Sequence, residues 1–435
     1  MSEALYDVIV VGGGPAGGVA AWTSARAGLR TVLLEEHAEI GSPAHCSGKL
    51  SVHAFKEFAL PVSLARTALR AATLYAPDGS AATLRRPVID SYVVDRDVFD
   101  RWLVGQAQTA GVEVILNARA RRGTRGRGVI SVEAERQGRT LTVRAPVVID
   151  AEGARTLLPA TLGVSPRRVL IQGLQYEMEG LHLDGADTPE LYFGREWAPG
   201  FFAWIMPLGG TCGRVGLCID PRLTDRPPVV FLERLLVEHP VVSRRARGAR
   251  IIRKLAGRIP ILGRRAPSYG PGLLVAGDAA GQVKATSGGG IYFSLVAGRL
   301  AAEAATATLG GDPRALRRYE QAWRRRFGRE LVFTTTVRRM LNALSDPDLS
   351  RLIRSIAHNP LLQHAIEEHG DTQYQSRLLR PVLGQVLRSW REAALAPMVL
   401  RALVRGLMAS DDETALERRG VATELHDDRG PGAIT

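Results

Sequence analysis

Residues 6–36 read YDVIVVGGGPAGGVAAWTSARAGLRTVLLEE, and the fold class follows from them. Residues 6–11 are a nearly continuous apolar run, which a strand carries when both its faces are covered, as in a parallel sheet. Gly12, Gly14 and Gly17 then fit G-x-G-x-x-G directly after that strand. Residues 15–27 have the small-residue character of a closely packed helix, and 31–34 read as a second strand. In such a unit the first glycine permits the tight turn and the second lets a pyrophosphate approach the backbone. The third allows close helix–strand packing, with the phosphate charge on the helix N-terminus. Pro15 and Ala16 belong to the same turn. Glu35 ends the second strand 18 residues after Gly17, where an acid hydrogen-bonds a ribose hydroxyl, and its neighbour Glu36 is the alternative ligand.

A second, distant element decides which dinucleotide. GLLVAGDAAGQVKATSGGGI (272–291) is another buried strand ending in Gly-Asp, followed by a glycine-rich turn and a helix. A nicotinamide enzyme does not need it. FAD does, because its ribityl chain passes a second strand end where Asp278 would bind the hydroxyls. Gly288, Gly289 and Gly290, with Ile291 at a helix start, would offer amides to the flavin pyrimidine edge and to its N1 charge when reduced. FAD is therefore the expected cofactor.

The rest of the composition narrows the class. With 435 residues, 45% hydrophobic and 23% charged, the chain is globular and large enough for more than one core. Its three cysteines, 46, 212 and 218, lack zinc or CxxC spacing, so reduced thiols in a cytoplasmic protein and no metal site are expected. MSEALYDVIVVGGG has no basic n-region and no cleavage site. No stretch reaches the roughly 18 uninterrupted apolar residues of a membrane span. The net charge is +13; the last 25 residues hold seven acidic and three basic residues, so 1–410 carry +17. Such a field suits phosphate or anionic lipid, but only four lysines occur and arginine supplies the rest, as compositional bias also would. No nucleic-acid module is visible, and nucleic acid is not an expected partner.

The expected architecture is α/β: a Rossmann-like FAD-binding domain with an inserted antiparallel-sheet substrate domain and a C-terminal helical region. The FAD domain is expected in three parts, 1–66, 95–165 and 255–310. A hairpin at 67–94, turning at Pro77-Asp78-Gly79, contributes to the substrate domain, which occupies 166–254. Residues 311–410 are helical and arginine-rich, and 411–435 form a polar, disordered tail.

GGGPAG, Glu35, VIDAEGARTLLPATLG (148–163) and LLVAGDAAG resemble the FAD-dependent aromatic hydroxylase superfamily. YVVDRDVFDRWL (92–103) extends the match, with Arg96 where that superfamily commonly has an FAD-contacting arginine. Gly153 fits the expected turn, whereas Glu152 departs from the usual Ala-Asp-Gly by one methylene. Within the superfamily, three segments are similar to geranylgeranyl reductases: SPAHCSG (42–48), GFFAWIMP (200–207) and GDAAGQVKATSGGGIYF (277–293). Phe202 replaces the tyrosine of their Tyr-x-Trp-x-Phe-Pro signature, Trp204 and Pro207 are kept, and Cys218 stands where a second glycine is usual. The resemblance covers roughly 5–335.

It implies reduction of prenyl double bonds, with hydride from reduced FAD at one carbon and a proton at the other. Trp204 and Phe202 would line an apolar tunnel and face developing positive charge; ordinary sheet packing is the competing reading. Cys46 is either a proton donor or ring-positioning thiol beside the flavin, or a buried filler; His45 is a loop hydrogen-bonder. The implied substrate is a prenyl lipid, a prenyl diphosphate, a chlorophyll-type tail or a quinone. NADPH or a ferredoxin-like protein would supply electrons. PMVLRALVRGLMA (397–409) has a broad apolar face opposite Arg401 and Arg405, which suits docking on an anionic membrane, the inner face of the cell membrane, as well as packing on its own core. A flavin monooxygenase or halogenase and a non-catalytic prenyl-lipid-binding protein are the alternatives.

Overall fold

A computed structural model describes residues 5–44, 46–165, 168–262, 267–378, 381 and 397–405. Val8–Val11 lies inside a six-stranded sheet, parallel to Thr31–Leu34 on one side and to Val147–Asp150 on the other. Glu113–Ile115 and Leu273–Val275 extend it in parallel, and Tyr269–Gly270 closes one edge antiparallel. Every residue of the three central strands is buried, as the apolar run of 8–11 requires. Because these strands run the same way, the turns after Val11, Leu34, Asp150 and Val275 all emerge at one edge of the sheet. Ligands of open α/β sheets bind at that edge.

The helix Pro15–Arg26 packs between Arg96–Thr109 and Ile291–Leu309. The approach is close: a methyl built on Gly298 would lie 2.2 Å from the Ala16 carbonyl oxygen. Phe99, Leu103 and Ala107 make one buried face of Arg96–Thr109, at the spacing expected from the sequence.

The inserted sheet has seven strands. Their order is Arg250–Leu262, Arg168–Glu179, Cys212–Ile219, Ala203–Gly209, Glu190–Tyr192, Ala71–Tyr75 and Ala81–Arg85. Its pairs are antiparallel except Glu190–Tyr192 with Ala71–Tyr75, which is parallel. The last two strands are the hairpin of 67–94; Gly79 takes φ +83° in its turn, and the Ala76 N–H donates to the Ser80 carbonyl at 2.8 Å. Two details differ from the sequence reading. The boundary drawn at 254 falls inside Arg250–Leu262, which pairs with Arg168–Glu179 almost throughout its length. Residues 166–254 also contain two helices, Pro228–Glu238 and Val242–Arg245, whose Leu232, Leu235 and Val242 cover an apolar sheet face.

Helices Ala315–Trp323, Arg329–Ala343, Asp346–His358 and Pro360–His369 follow. Phe327 stacks on Phe293 at 4.6 Å and on Trp323 at 5.4 Å, joining this region to the helix Ile291–Leu309. In the described part of 397–409, Met398 and Ala402 pack against Leu344 and Leu349, while Leu400 and Val404 are exposed. Residues 406–409 and the tail 411–435 lie outside the described residues. Among those described, no helix is long and apolar enough to cross a membrane.

Candidate functional site

Two cavities meet at the C-terminal edge of the parallel sheet. The first, about 880 Å³ of open space, is lined by Gly12, Gly14, Glu35, Glu36, Arg96 and Gly153 among others. The second, about 1910 Å³, borders Pro15, Ala16, Cys46 and Asp278, then Gly288 to Ile291, and on its far wall Phe202 and Trp204. Gly14, Arg96, Ala151 and Gly153 line both, so the two form one channel. Gly17 lines neither cavity and lies behind the turn.

The glycine turn has the shape its motif demands. Gly12 holds φ +98°, and a methyl there would meet the Ala151 carbonyl oxygen at 2.3 Å; one on Gly17 would meet the Gly12 oxygen at 1.8 Å. Gly14 differs: its nearest neighbour would be Arg96 Nη2 at 3.9 Å, which leaves room for a ligand against the backbone. Glu35 accepts the Gly13 N–H at 2.7 Å and the His37 N–H at 3.0 Å, and its other partner is the His37 ring. Burial pushes the Glu35 carboxyl up, but these hydrogen bonds outweigh it and hold the group below its ordinary range. Glu36 pairs with Arg155 at 2.6 Å and lies 3.5 Å from Arg119.

Arg96 donates to both carboxylate oxygens of Asp100, at 3.0 and 2.7 Å. The half-buried Asp278 makes no side-chain hydrogen bond among the described residues; burial raises its pKa, against the pull of Arg96 and Arg168. Behind the turn, burial and then the neighbouring Glu152 carboxyl push Asp150 well above the carboxylate range. Cys46 Sγ accepts the Gly48 N–H at 3.3 Å, and the Cys46 carbonyl accepts from Gln175 Nε2 at 2.8 Å. His45 lies outside the described residues. The three cysteines are unpaired, and among the described residues no cluster could hold a metal ion.

The second cavity is apolar on its far side. Phe202 stacks on Phe201 at 4.6 Å and meets Trp204 edge-on at 6.1 Å, with Leu174, Leu191, Met206 and Ile259 around them. Cys218, whose thiol burial pushes up to about 12, fills part of the same wall. The chamber also holds orphaned polar atoms: Trp204 Nε1, Gln175 Oε1 and Gln373 Nε2 are buried without a partner among the described residues. A ligand presenting both donors and acceptors along one edge, as an isoalloxazine does, fits that inventory.

Sequence reading missed several residues that build this site. Arg168 donates to the carbonyls of Gly153 and Asp278, at 3.4 and 2.9 Å, tying the two turns together. Arg338, buried, donates to the carbonyls of Ala285, Thr286 and Gly200 and so holds the glycine-rich segment against the aromatic wall. Thr372, Gln373 and Gln375 line the chamber from the C-terminal region. Lys49 and Lys284 line it too, and the scarcity of lysine in the chain was the one signal that singled them out.

A parallel sheet with two nucleotide-shaped turns opening onto an apolar chamber defines an FAD-dependent oxidoreductase. A family model described as FAD dependent oxidoreductase matches residues 7–163. The chain is 34% identical over 370 residues to digeranylgeranylglycerophospholipid reductase 2 of Methanopyrus kandleri, covering 82% of this chain and 92% of that one. It is 31% identical over 363 residues to the corresponding reductase of Methanocaldococcus jannaschii, covering 82% and 91%. A crystal structure of a geranylgeranyl bacteriochlorophyll reductase-like protein from Thermoplasma acidophilum superposes with a TM-score of 0.80 at 26% identity, over 93% of this chain and all of that one. The chain belongs to the geranylgeranyl reductase family of FAD-dependent oxidoreductases. A flavin-dependent brominase, at 18% identity and a TM-score of 0.65, shares the fold alone.

Proposed function

We propose that the protein saturates carbon–carbon double bonds in the geranylgeranyl chains of a glycerophospholipid, the substrate class that its relatives' names carry. The observation behind this reading is the shared wall of Gly14, Arg96, Ala151 and Gly153, which joins a nucleotide-shaped cavity to an apolar one more than twice its size. FAD, when bound and reduced, supplies hydride.

The chain's own residues do the rest. Gly12, Gly14, Pro15, Ala16 and Gly17 would shape the pyrophosphate turn, Glu35 would take a ribose hydroxyl, and Arg96 and Gly153, which line both cavities, would hold the part of the cofactor between them. Asp278, whose side chain makes no hydrogen bond among the described residues, would accept from the ribityl hydroxyls. Gly288, Gly289, Gly290 and Ile291 would present the start of a 19-residue helix to the ring. Phe202 and Trp204 would turn π-faces toward the carbon that gains positive charge as the proton adds to its neighbour and that hydride then neutralises; Phe202, lacking a hydroxyl, contributes only that face. Cys46 delivers the proton from its thiol, which the Gly48 N–H holds beside the chamber. Leu174, Leu191, Met206 and Ile259 exclude water, so the charged carbon is not trapped as an alcohol.

The electron donor in this reading is NADPH or a ferredoxin-like protein. A cytoplasmic protein docked peripherally on an anionic membrane goes with a lipid substrate, and the exposed Leu400 and Val404 support that placement. The test is direct: FAD-loaded protein, reduced with dithionite, is given digeranylgeranylglycerophospholipid or geranylgeranyl diphosphate. Mass gains of two hydrogens per prenyl unit are then read by mass spectrometry. No gain on either substrate overturns the reading; gain on the diphosphate alone moves the substrate class.

A further inference from the structure

The larger chamber contains a cation that the proposed reaction leaves without a task. Lys284 is 3% exposed and lines the chamber, in a chain that uses arginine for nearly all its positive charge. Its loop closes on itself: the Gly288 N–H donates to the Lys284 carbonyl at 2.9 Å, and the Lys284 N–H donates to the Gly289 carbonyl at 3.3 Å. The side chain folds back under the glycines, so that a methyl on Gly289 would lie 3.4 Å from Nζ.

The ammonium is short of partners. It has three donors, and among the described residues it donates to the Thr372 carbonyl alone. The nearby acids are engaged elsewhere: Asp90 with Lys49 at 3.2 Å, Asp371 with Arg377 at 2.7 Å, and Glu330 with the Ser376 N–H. Burial, and then repulsion from Lys49, bring Lys284 down to about 8 despite the pull of Glu330, Asp371 and Asp90. A buried cation with spare donors, beside the N-terminus of the Ile291–Leu309 helix, is a site made for negative charge.

Resting on the assignment of FAD to this channel, we propose that Lys284 contacts the N1–C2=O edge of the flavin and stabilises the negative charge left there on reduction. The balance is simple. Oxidised FAD takes two electrons and one proton, the proton going to N5 and the charge to the N1–C2=O edge. The electrons come from a nicotinamide or ferredoxin-like donor in the cell, and from dithionite in the test.

The probe is sulfite, which adds to N5 of oxidised flavin and places the same charge at N1–C2=O without substrate or turnover. Sulfite affinity and the two-electron potential are measured on the FAD-loaded full chain carrying Lys284→Met, Lys284→Gln or Lys284→Arg. The Gln variant keeps a donor for Thr372 and the Arg variant keeps the charge. Expected for both neutral variants is a yellow protein whose sulfite affinity falls about tenfold or more and whose potential drops by about 30 mV for each factor of ten, with Arg recovering most of both. A yellow neutral variant with wild-type sulfite affinity and potential overturns the proposal, and so does one that changes only the protease sensitivity of 371–378, the mark of a mere tether. A colourless wild-type protein overturns the flavin assignment instead.

Discussion

Arg96 donates two parallel hydrogen bonds to Asp100, one turn further along the same helix, and Asp100 is only 2% exposed. The direction of the guanidinium is thus set by a group that a ligand does not displace, and it faces both cavities. Asp100→Asn removes the charge and one acceptor while keeping the shape. FAD affinity should fall about tenfold, near 1.4 kcal/mol, in a fluorescence titration of the apo protein. An unchanged dissociation constant would deny Asp100 its positioning role.

The glycines of the first turn should separate by measurement. Gly17→Ala puts a methyl 1.8 Å from the Gly12 oxygen, a clash between backbone elements, and should lower stability by more than about 3 kcal/mol. Gly14→Ala meets nothing nearer than 3.9 Å and has an ordinary φ of −76°. Its apo stability should stay within about 1 kcal/mol of the parent while FAD binding weakens. Urea melts with a parallel flavin titration check both; equal destabilisation by the two would contradict the geometry.

Cys46→Ser should leave FAD bound and slow double-bond reduction by about tenfold or more, because a hydroxyl is a far weaker proton donor than a thiol. Single-turnover mass gain on the lipid substrate reads it. Turnover equal to that of the parent would return Cys46 to the status of a packing residue.

Lys284 predicts a pH dependence of known sign. Its pKa is about 8 in the fold against 10.5 for the free side chain, so between these values the unfolded chain binds more protons. The apo protein should therefore gain stability from this group as pH rises through the window, on the order of 3 kcal/mol for the full shift. A salt-bridged lysine would do the opposite. Denaturant midpoints of wild type and Lys284→Gln from pH 7.5 to 10 check it; a difference that does not vary with pH rules out a buried cation.

What was legible in the sequence was what the backbone dictates locally. A strand buried on both faces, a turn with glycine at three spaced positions and an acid at the next strand end leave a pattern within a few dozen residues. The Gly12 and Gly17 contacts show why no side chain is tolerated there. Glu35 and Asp278 could be singled out because each follows a strand end, and the structure puts one on each cavity wall. Gln175 was not, because it reaches Cys46 across 129 positions, and Arg168 reaches the Asp278 carbonyl across 110. Such residues are ordinary in their own strand and acquire meaning only when the inserted sheet folds back over the flavin turns. Of the apolar face read in 397–409, Leu400 and Val404 are exposed; the packing of Met398 and Ala402 on Leu344 and Leu349 was not legible, because it depends on helices some fifty residues earlier.

The segment Thr372–Gln375 ties two lysines and the glycine-rich turn to the C-terminal region. Thr372 receives Lys284 through its carbonyl and Lys49 through its hydroxyl, and Gln375 receives Thr286. Both glycine-rich turns lie before residue 292, and the segment that closes the chamber beside them comes more than eighty residues later in the chain. The finished chamber therefore depends on the C-terminal helices that carry this segment, although both glycine-rich turns lie far ahead of them in the chain.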